Sequence, residues 1–386
     1  MAAKSFTAAQ VHDGFQWLPA GTTVCVNDAG FITQLLRKPL ADTIHLEGVL
    51  CPGFVNAHCH LELSHLQGRV PERTGIVDFL IFVSTRRSEF DNLPKKVLLQ
   101  QAWQQMKDNG IVAVGDIVNT TDTLPAREQQ DILFHTFIEA LGMVPERARQ
   151  RLESCQELYS AFEKQDGPHR QSISPHAPYS VSTPLFQLID EIGEQELLSI
   201  HNQEGRAEDQ YFESGSGDML RLFAALGLKD IGFVPSGKSS LETYGDWLHP
   251  SHPLLLVHNS VTQAAAVRYA RQRFQNLWFC LCPNANLYIE GKLPDVPMLL
   301  QEGAQICIGT DSLASNHQLS VLAELSTLKK YFPELSWEVL LRWGTANGAA
   351  ALQMQPLTGS FETGKKPGLL CLNGLAENQP VVERFV

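Results

Sequence analysis

The hydrophobic rhythm of the chain changes at about residue 50. Before that point, short β-type runs at 22–26 and 31–36 are broken by Asn27-Asp28-Ala29-Gly30 and Lys38-Pro39. This spacing predicts a small antiparallel sheet and not βα units. Beyond it, strand-length apolar runs at 52–60, 111–118, 132–140, 171–176, 197–202, 253–258, 277–283 and 305–311 alternate with helical stretches such as 94–108, 182–193, 262–273 and 318–331. Eight parallel-type strands with helices between them predict a (β/α)8 TIM barrel over residues 51–353. After about 353, a turn-rich stretch at 359–368 leads into a short apolar run at 369–372, which can complete the sheet begun at the N-terminus. The expected architecture is therefore an α/β fold: a TIM barrel with a small β-sandwich domain built from 1–50 and 354–386.

Several of the predicted strands end in a polar residue, on the face where barrels of this class carry their chemistry. His58 and His60, with Cys59 between them, finish the first strand, and a period of two turns both imidazoles to one face. His-x-His alone is a weak signal. It gains weight because His176, His201, His258 and Asp311 close four later strands. His58, His60, His201 and Asp311 make a nitrogen-rich set with one carboxylate, suited to one divalent ion, zinc first and iron second, with a position left for water. Such an ion brings the pKa of bound water down to about 7. Glu204, three residues after His201, can hang over the ion and carry protons, or can simply answer the dipole of a following helix. His258 is a candidate for orienting the attacking water with Asp311, and His176 for meeting the substrate. Either histidine is alternatively an extra ligand in a two-metal site.

Composition narrows the partner. The formal net charge is -12 and the sequence pI about 5.5, which opposes nucleic-acid or anionic-membrane binding and leaves a small molecule. No run of 18 apolar residues occurs, and the opening Met-Ala-Ala-Lys-Ser-Phe-Thr lacks the core of a secretory signal, so a cytoplasmic protein is expected. Eight scattered cysteines, mostly in apolar runs, suit buried reduced thiols.

Motifs in family order through nearly the whole chain resemble the amidohydrolase superfamily. They are Pro52-Gly53-Phe54-Val55-Asn56-Ala57-His58-Cys59-His60, Ser174-Pro175-His176-Ala177-Pro178-Tyr179, His201-Asn202-Gln203-Glu204, Val257-His258-Asn259, Cys282-Pro283-Asn284-Ala285-Asn286 and Gly309-Thr310-Asp311-Ser312-Leu313-Ala314-Ser315-Asn316. Within it the chain is similar to the cytosine deaminase and chlorohydrolase-like branch that includes methylthioadenosine and adenosylhomocysteine deaminases. The resemblance implies one metal on His58, His60, His201 and Asp311, a proton-handling pair in Glu204 and His258 with Asp311 beside them, and substrate contact from His176. Glu62 and Asn316 are further candidates for that contact. Binuclear relatives supply a lysine from the fourth barrel strand, and 170–176 holds none, which favours a single ion.

Two departures stand out. Where nucleoside-type relatives carry a Pro-Met-x-x-Leu-Arg-Gly run, this chain has Glu62-Leu63-Ser64-His65-Leu66-Gln67-Gly68, and the C-terminal Gly-Lys-x-Ala-Asp signature becomes Gly364-Lys365-Lys366-Pro367-Gly368. The first departure and residues 246–260 are similar to a bacterial subgroup containing aminodeoxyfutalosine deaminases. That likeness implies an adenine joined through its sugar to a benzoate, with Arg69, Arg73 or Lys238 as partners for its carboxylate. The expected reaction is hydrolytic deamination of an aminated N-heterocycle, an adenine nucleoside first, with 6-aminodeoxyfutalosine as the subgroup's substrate. The alternatives are guanine or pterin deamination, hydrolysis of a cyclic amide or aryl chloride, and a catalytically silent barrel. Residues 72–92 read as a helix that caps the pocket or meets a second copy in a homodimer.

Overall fold

The computed structural model describes residues 4–90, 92–193, 195–228, 231–375 and 380–385. Four strands precede the change of rhythm: β1 (Lys4–Val11), β2 (Thr23–Val26), β3 (Ile32–Leu36) and β4 (Ile44–Cys51). Eight then follow in two parallel ladders. The first runs β5 (Phe54–Cys59), β6 (Ile111–Val118), β7 (Leu133–Ala140) and β8 (Arg170–Pro175). The second runs β9 (Leu198–Asn202), β10 (Leu254–His258), β11 (Leu277–Leu281) and β12 (Ile306–Ile308). Every residue of β5, β6 and β9 to β12 is buried, as expected of parallel strands covered on both faces. One face packs inward through Val55, Ala113, Phe137, Leu255 and Cys280. The other meets the helices through Phe54, Trp103, Phe134, Phe186 and Phe279.

Single bonds stitch the two ladders where strand pairing stops. Between β8 and β9, His201 N donates to His176 O at 2.9 Å and Ser172 Oγ to Leu197 O at 2.7 Å. Between β12 and β5, Thr310 N and Asp311 N donate to His58 O at 3.0 and 3.1 Å. Asn56, wholly buried, adds a two-way clasp: its Oδ1 accepts from Thr310 N at 3.0 Å and its Nδ2 donates to Thr310 Oγ1 at 2.8 Å. Gly309 makes this approach feasible, since a Cβ there would lie 2.8 Å from His58 Cβ.

The terminal sheet differs from expectation in two ways. β13 (Leu370–Asn373) and β14 (Val381–Arg384) do join the N-terminal strands, in the order β14-β13-β4-β1-β2-β3. However, β1 and β4 pair in parallel: the β2–β3 hairpin leaves β3 running in the direction of β1, and residues 37–43 carry the chain back before β4 starts in that same direction. The described strands at the termini also form one six-stranded sheet and not the two of a sandwich; Phe361 and Leu369 of the preceding coil fill the cluster with Phe6, Val24, Ile32 and Leu50. All eight cysteines are free and buried. No helix of the described residues is long and apolar enough to cross a membrane.

Helix Ile76–Arg86, with helices Arg206–Ser214 and Met219–Ala225, lies over the strand ends and shares a cluster of Ile76, Phe79, Tyr211, Phe212, Leu222 and Phe223. This is the capping role expected of the segment after residue 72.

Asn56→Ala should cost about 1–3 kcal/mol, because it removes two buried hydrogen bonds across the seam, although Thr310 N keeps its bond to His58 O. Urea unfolding would register this as a lower midpoint at unchanged slope, whereas an unshifted midpoint would mean the seam does not need the clasp.

Candidate active site

The predicted strand-end residues meet at one place. His60 Nε2 faces His201 Nε2 at 3.2 Å, and Asp311 Oδ1 lies 3.7 Å from His58 Nε2 and 3.6 Å from His60 Nε2. His258 Nε2 stands 3.6 Å from Glu204 Oε1. His176 packs against His201 with ring centroids 4.6 Å apart, and its Nε2 is 3.8 Å from Glu139 Oε1. His60, Glu62, His176, His201, Glu204, His258 and Asp311 all line a chamber of about 250 Å³, with His58 wholly buried beneath it.

Local backbone geometry aims these groups. Gln203, His258, Asn259 and Asp311 have φ of 45°, 73°, 60° and 57°, a left-handed region that costs non-glycine residues about 1–3 kcal/mol each. The surroundings hold them there. Asn259 N donates to Asn202 O at 3.0 Å, and Asn202 Nδ2 to Asn259 Oδ1 at 3.0 Å. The buried Glu208 carboxylate accepts from Gln203 N at 3.0 Å and from Ser240 Oγ at 2.5 Å, which fixes the turn carrying Glu204. Ser315 Oγ donates to Asp311 Oδ2 at 2.5 Å.

Burial sets the protonation states. Desolvation, with neighbouring imidazoles adding to it, holds His60 and His258 down at about 3 and His176 at about 4, and pushes His201 well below the ordinary histidine range. His201 donates from Nδ1 to His176 O at 2.8 Å, so its neutral ring turns a lone pair on Nε2 toward His60. The carboxyls divide. Burial, with Asp311 and Glu208 nearby, pushes Glu204 well above the usual range, and burial pushes Glu139 up to about 7. Burial also works against the charge of Asp311, but the imidazoles around it, His58 first, outweigh that and hold it below the usual range.

This donor set fits a divalent ion. Both ring nitrogens of buried His58 lack a hydrogen-bond partner. Donor atoms bound at about 2.0–2.2 Å to a common ion sit roughly 3–3.5 Å from each other, close to the 3.2–3.7 Å spacings here. His58, His60 and His201, and His58, His258 and Asp311, are two groups that could hold an ion, their donor atoms lying within 4.8 Å of one another; Glu139, His176 and His201 form a third.

The family model described as "Amidohydrolase family" matches residues 49–385. The chain belongs to that family. An adenosine deaminase of Helicobacter pylori is 26% identical over 335 residues, covering 83% of this chain and 78% of that protein. An aminodeoxyfutalosine deaminase of Deinococcus radiodurans is 28% identical over 354 residues, covering 86% and 80%. Among solved structures, Helicobacter pylori aminofutalosine deaminase in complex with methylthio-coformycin superposes with a TM-score of 0.80 at 23% identity, covering 99% of this chain and 93% of that one. That last likeness speaks to the fold.

Two expected site residues behave differently from the rest. Glu62 lines the chamber, but its Oε2 already accepts from Asn119 N, Thr120 N and Thr120 Oγ1 at 3.0–3.1 Å, so it also pins the loop after β6. Asn316 does not line the chamber. It is buried, and its Nδ2 donates to Thr310 O and Glu324 Oε1, both at 2.8 Å, so that Asn316 holds the 310–316 turn. Nor do Arg69, Arg73 and Lys238 reach the chamber or its neighbour; the cations that line them are Arg87, Arg147 and Arg151. Sequence reasoning missed Glu139, although it ends β7 as the histidines end their strands.

An unfolded chain takes up protons on its histidines below about 6.5, whereas His176 resists until about 4 and His60 and His258 until about 3. Stability is therefore lost as pH falls through 6.5 toward 3. Melting of chelator-treated protein should show Tm dropping between pH 6.5 and 4.5, and less steeply in His258→Gln; equal slopes would contradict the assignment.

Proposed function

We propose that this chain is a metal-dependent hydrolytic deaminase of adenine-containing nucleosides. In this reading residues 51–353 act as one closed (β/α)8 barrel, and 1–50 with 354–386 form a separate composite β-domain. His58, His60, His201 and Asp311 hold one divalent ion, zinc ahead of iron because imidazole dominates the set. Such an ion lowers the pKa of a water ligand to about 7 and so makes a nucleophile available at neutral pH. The deaminases among the relatives support the reaction class.

The protein's own groups then manage the protons. Glu204, held neutral, donates to the ring nitrogen next to the amino-bearing carbon, which makes that carbon electrophilic. Asp311, held ionised, and His258 take one proton from the attacking water and deliver it to the departing amino group. The second water proton returns to Glu204 as the carbonyl forms. The products are ammonia and a ring carbonyl with a protonated neighbouring nitrogen, and all groups regain their starting states. His176 and Glu139, at the chamber wall, and Glu62 contact the substrate.

The observation that carries this reading is the close set of donor atoms at 3.2–3.7 Å, with the Glu204–His258 pair beside it. Ammonia release from a panel of adenine nucleosides tests it. Glu204→Gln should lower kcat by about 10²–10⁴-fold while elemental analysis still finds about one metal per chain. Full activity in that variant, or no ammonia from any nucleoside with metal-loaded protein, would overturn the proposal.

A further inference from the structure

A short helix, Ser240–Tyr244, contributes no residue to the chamber that holds the strand-end cluster, yet two of its hydroxyls, both wholly buried, reach toward the turns that carry Glu204 and His258. We propose that this helix is a positioning clamp for the reaction: Ser240 holds Glu204 through Glu208, and Tyr244 holds His258 through Asn202 and Asn259. The inference rests on the deaminase reading for what Glu204 and His258 do.

The Tyr244 arm is a chain of hydrogen bonds that runs in one direction. Tyr244 Oη donates to Asn202 Oδ1 at 2.8 Å, Asn202 Nδ2 to Asn259 Oδ1 at 3.0 Å, and Asn259 Nδ2 to Leu256 O at 2.8 Å. An amide accepts at one end and donates at the other, so the phenol fixes which way both asparagines face. Turning Asn202 over would set its oxygen's partner, Tyr244, against a donor and its oxygen against Asn259 Oδ1. The backbone repeats the link, with Asn259 N donating to Asn202 O at 3.0 Å. His258 and Asn259 are consecutive residues at φ of 73° and 60°, a pair that keeps this conformation only because its surroundings impose it.

The Ser240 arm grips the other turn. Ser240 Oγ donates to Glu208 Oε1 at 2.5 Å, and the same oxygen accepts from Gln203 N at 3.0 Å. Ser240 N donates to Asp209 Oδ1 at 2.9 Å, while Gln203 Nε2 donates to both oxygens of Asp209 at 3.0 Å. One helical residue thus holds two consecutive buried acids, and those acids hold Gln203 by its backbone and its side chain. Burying two acids side by side is costly unless each is bonded several times. Here that bonding converges on the residue before Glu204.

Glu204 Oε1 and His258 Nε2 stand 3.6 Å apart but come from different strand ends. A displacement of about 1 Å at such a pair can cost about 10²-fold in rate. A single rigid body bonded to both turns fixes their separation, which neither strand does alone. The helix is stiffened for this: Ser239 and Glu242 close a capping box at its start, and the Tyr244 ring stacks on Phe186 with centroids 5.9 Å apart.

The test uses Ser240→Ala and Tyr244→Phe, each of which removes one oxygen and no carbon, alone and combined with Glu204→Gln and His258→Gln respectively. Each single variant should lose about tenfold or more in kcat for ammonia release from adenosine, with KM within about twofold and about one metal per chain retained. In the double variants the second change should cost less than about twofold, because a positioning residue has nothing left to position once its target is gone. Thr243→Val, on the same helix with its hydroxyl donating to Ser239 O at 2.8 Å, should keep kcat within about twofold of wild type. Unchanged kcat in both single variants, losses that multiply in the doubles, or an equal loss in Thr243→Val would overturn the clamp. Amide hydrogen exchange reads the same contacts without turnover: Gln203 N–H should exchange about tenfold or more faster in Ser240→Ala, and Asn259 N–H in Tyr244→Phe, while the amides of β11 keep their rates. Unchanged exchange at both positions would also overturn it. Faster exchange there, with no ammonia from any nucleoside on metal-loaded wild-type protein, would sink the deaminase reading and keep the clamp.

Discussion

The structure depends on holding several neutral imidazoles and one ionised carboxylate within about a bond length of mutual contact, away from water. Buried polar groups without partners are costly, by about 1–3 kcal/mol each, and His58 has two such nitrogens. Such an arrangement persists only where the framework leaves no alternative. Strand ends 254 residues apart are locked together by Asn56 and Thr310, Gly309 lets β12 approach His58 closely, and left-handed backbone at His258 and Asp311 sets the direction of their side chains. The strain and the unpaired nitrogens sit at the same place, as expected when rigidity serves a site and not the core.

The same burial divides the carboxyls. Glu204 and Asp311 border the same chamber, yet one is driven toward its neutral form and the other held charged, because imidazoles lie 3.6–3.7 Å from Asp311 while Glu204 faces other acids. Two carboxyls in one pocket with opposite protonation states are what acid–base chemistry at neutral pH requires. A ring of supporting residues keeps the division in place: Glu208 holds the turn of Glu204, and Ser315 and the Asn316–Glu324 pair hold the turn of Asp311.

The titratable cluster and the wider chamber beside it are built by different layers of the fold. The strand ends carry the titratable cluster, while helices Ile76–Arg86, Ala148–Glu163 and Met219–Ala225 build the apolar and cationic walls further out.

Much of this was legible in one dimension. The eight parallel strands follow from apolar runs of the right length, because parallel strands buried on both faces have little compositional freedom, and His58, His60, His201, His258 and Asp311 stood out because a polar residue ending an apolar strand needs a reason. Other features depended on contacts between distant segments. The parallel pairing of β1 with β4 and the single terminal sheet are set by chain reversal and by what covers one face, which local patterning does not encode. Asn316 looked like a substrate ligand from its motif, but its amide is committed to Thr310 and Glu324. The arginines near the pocket were likewise invisible, since a guanidinium on a helix reads as ordinary solvated surface until the helix is docked. Sequence determined which side chains could do chemistry, because residue type and strand period are local properties; tertiary structure alone decided their protonation, their partners and the shape of the space in front of them, because desolvation and distance arise only when the chain is packed.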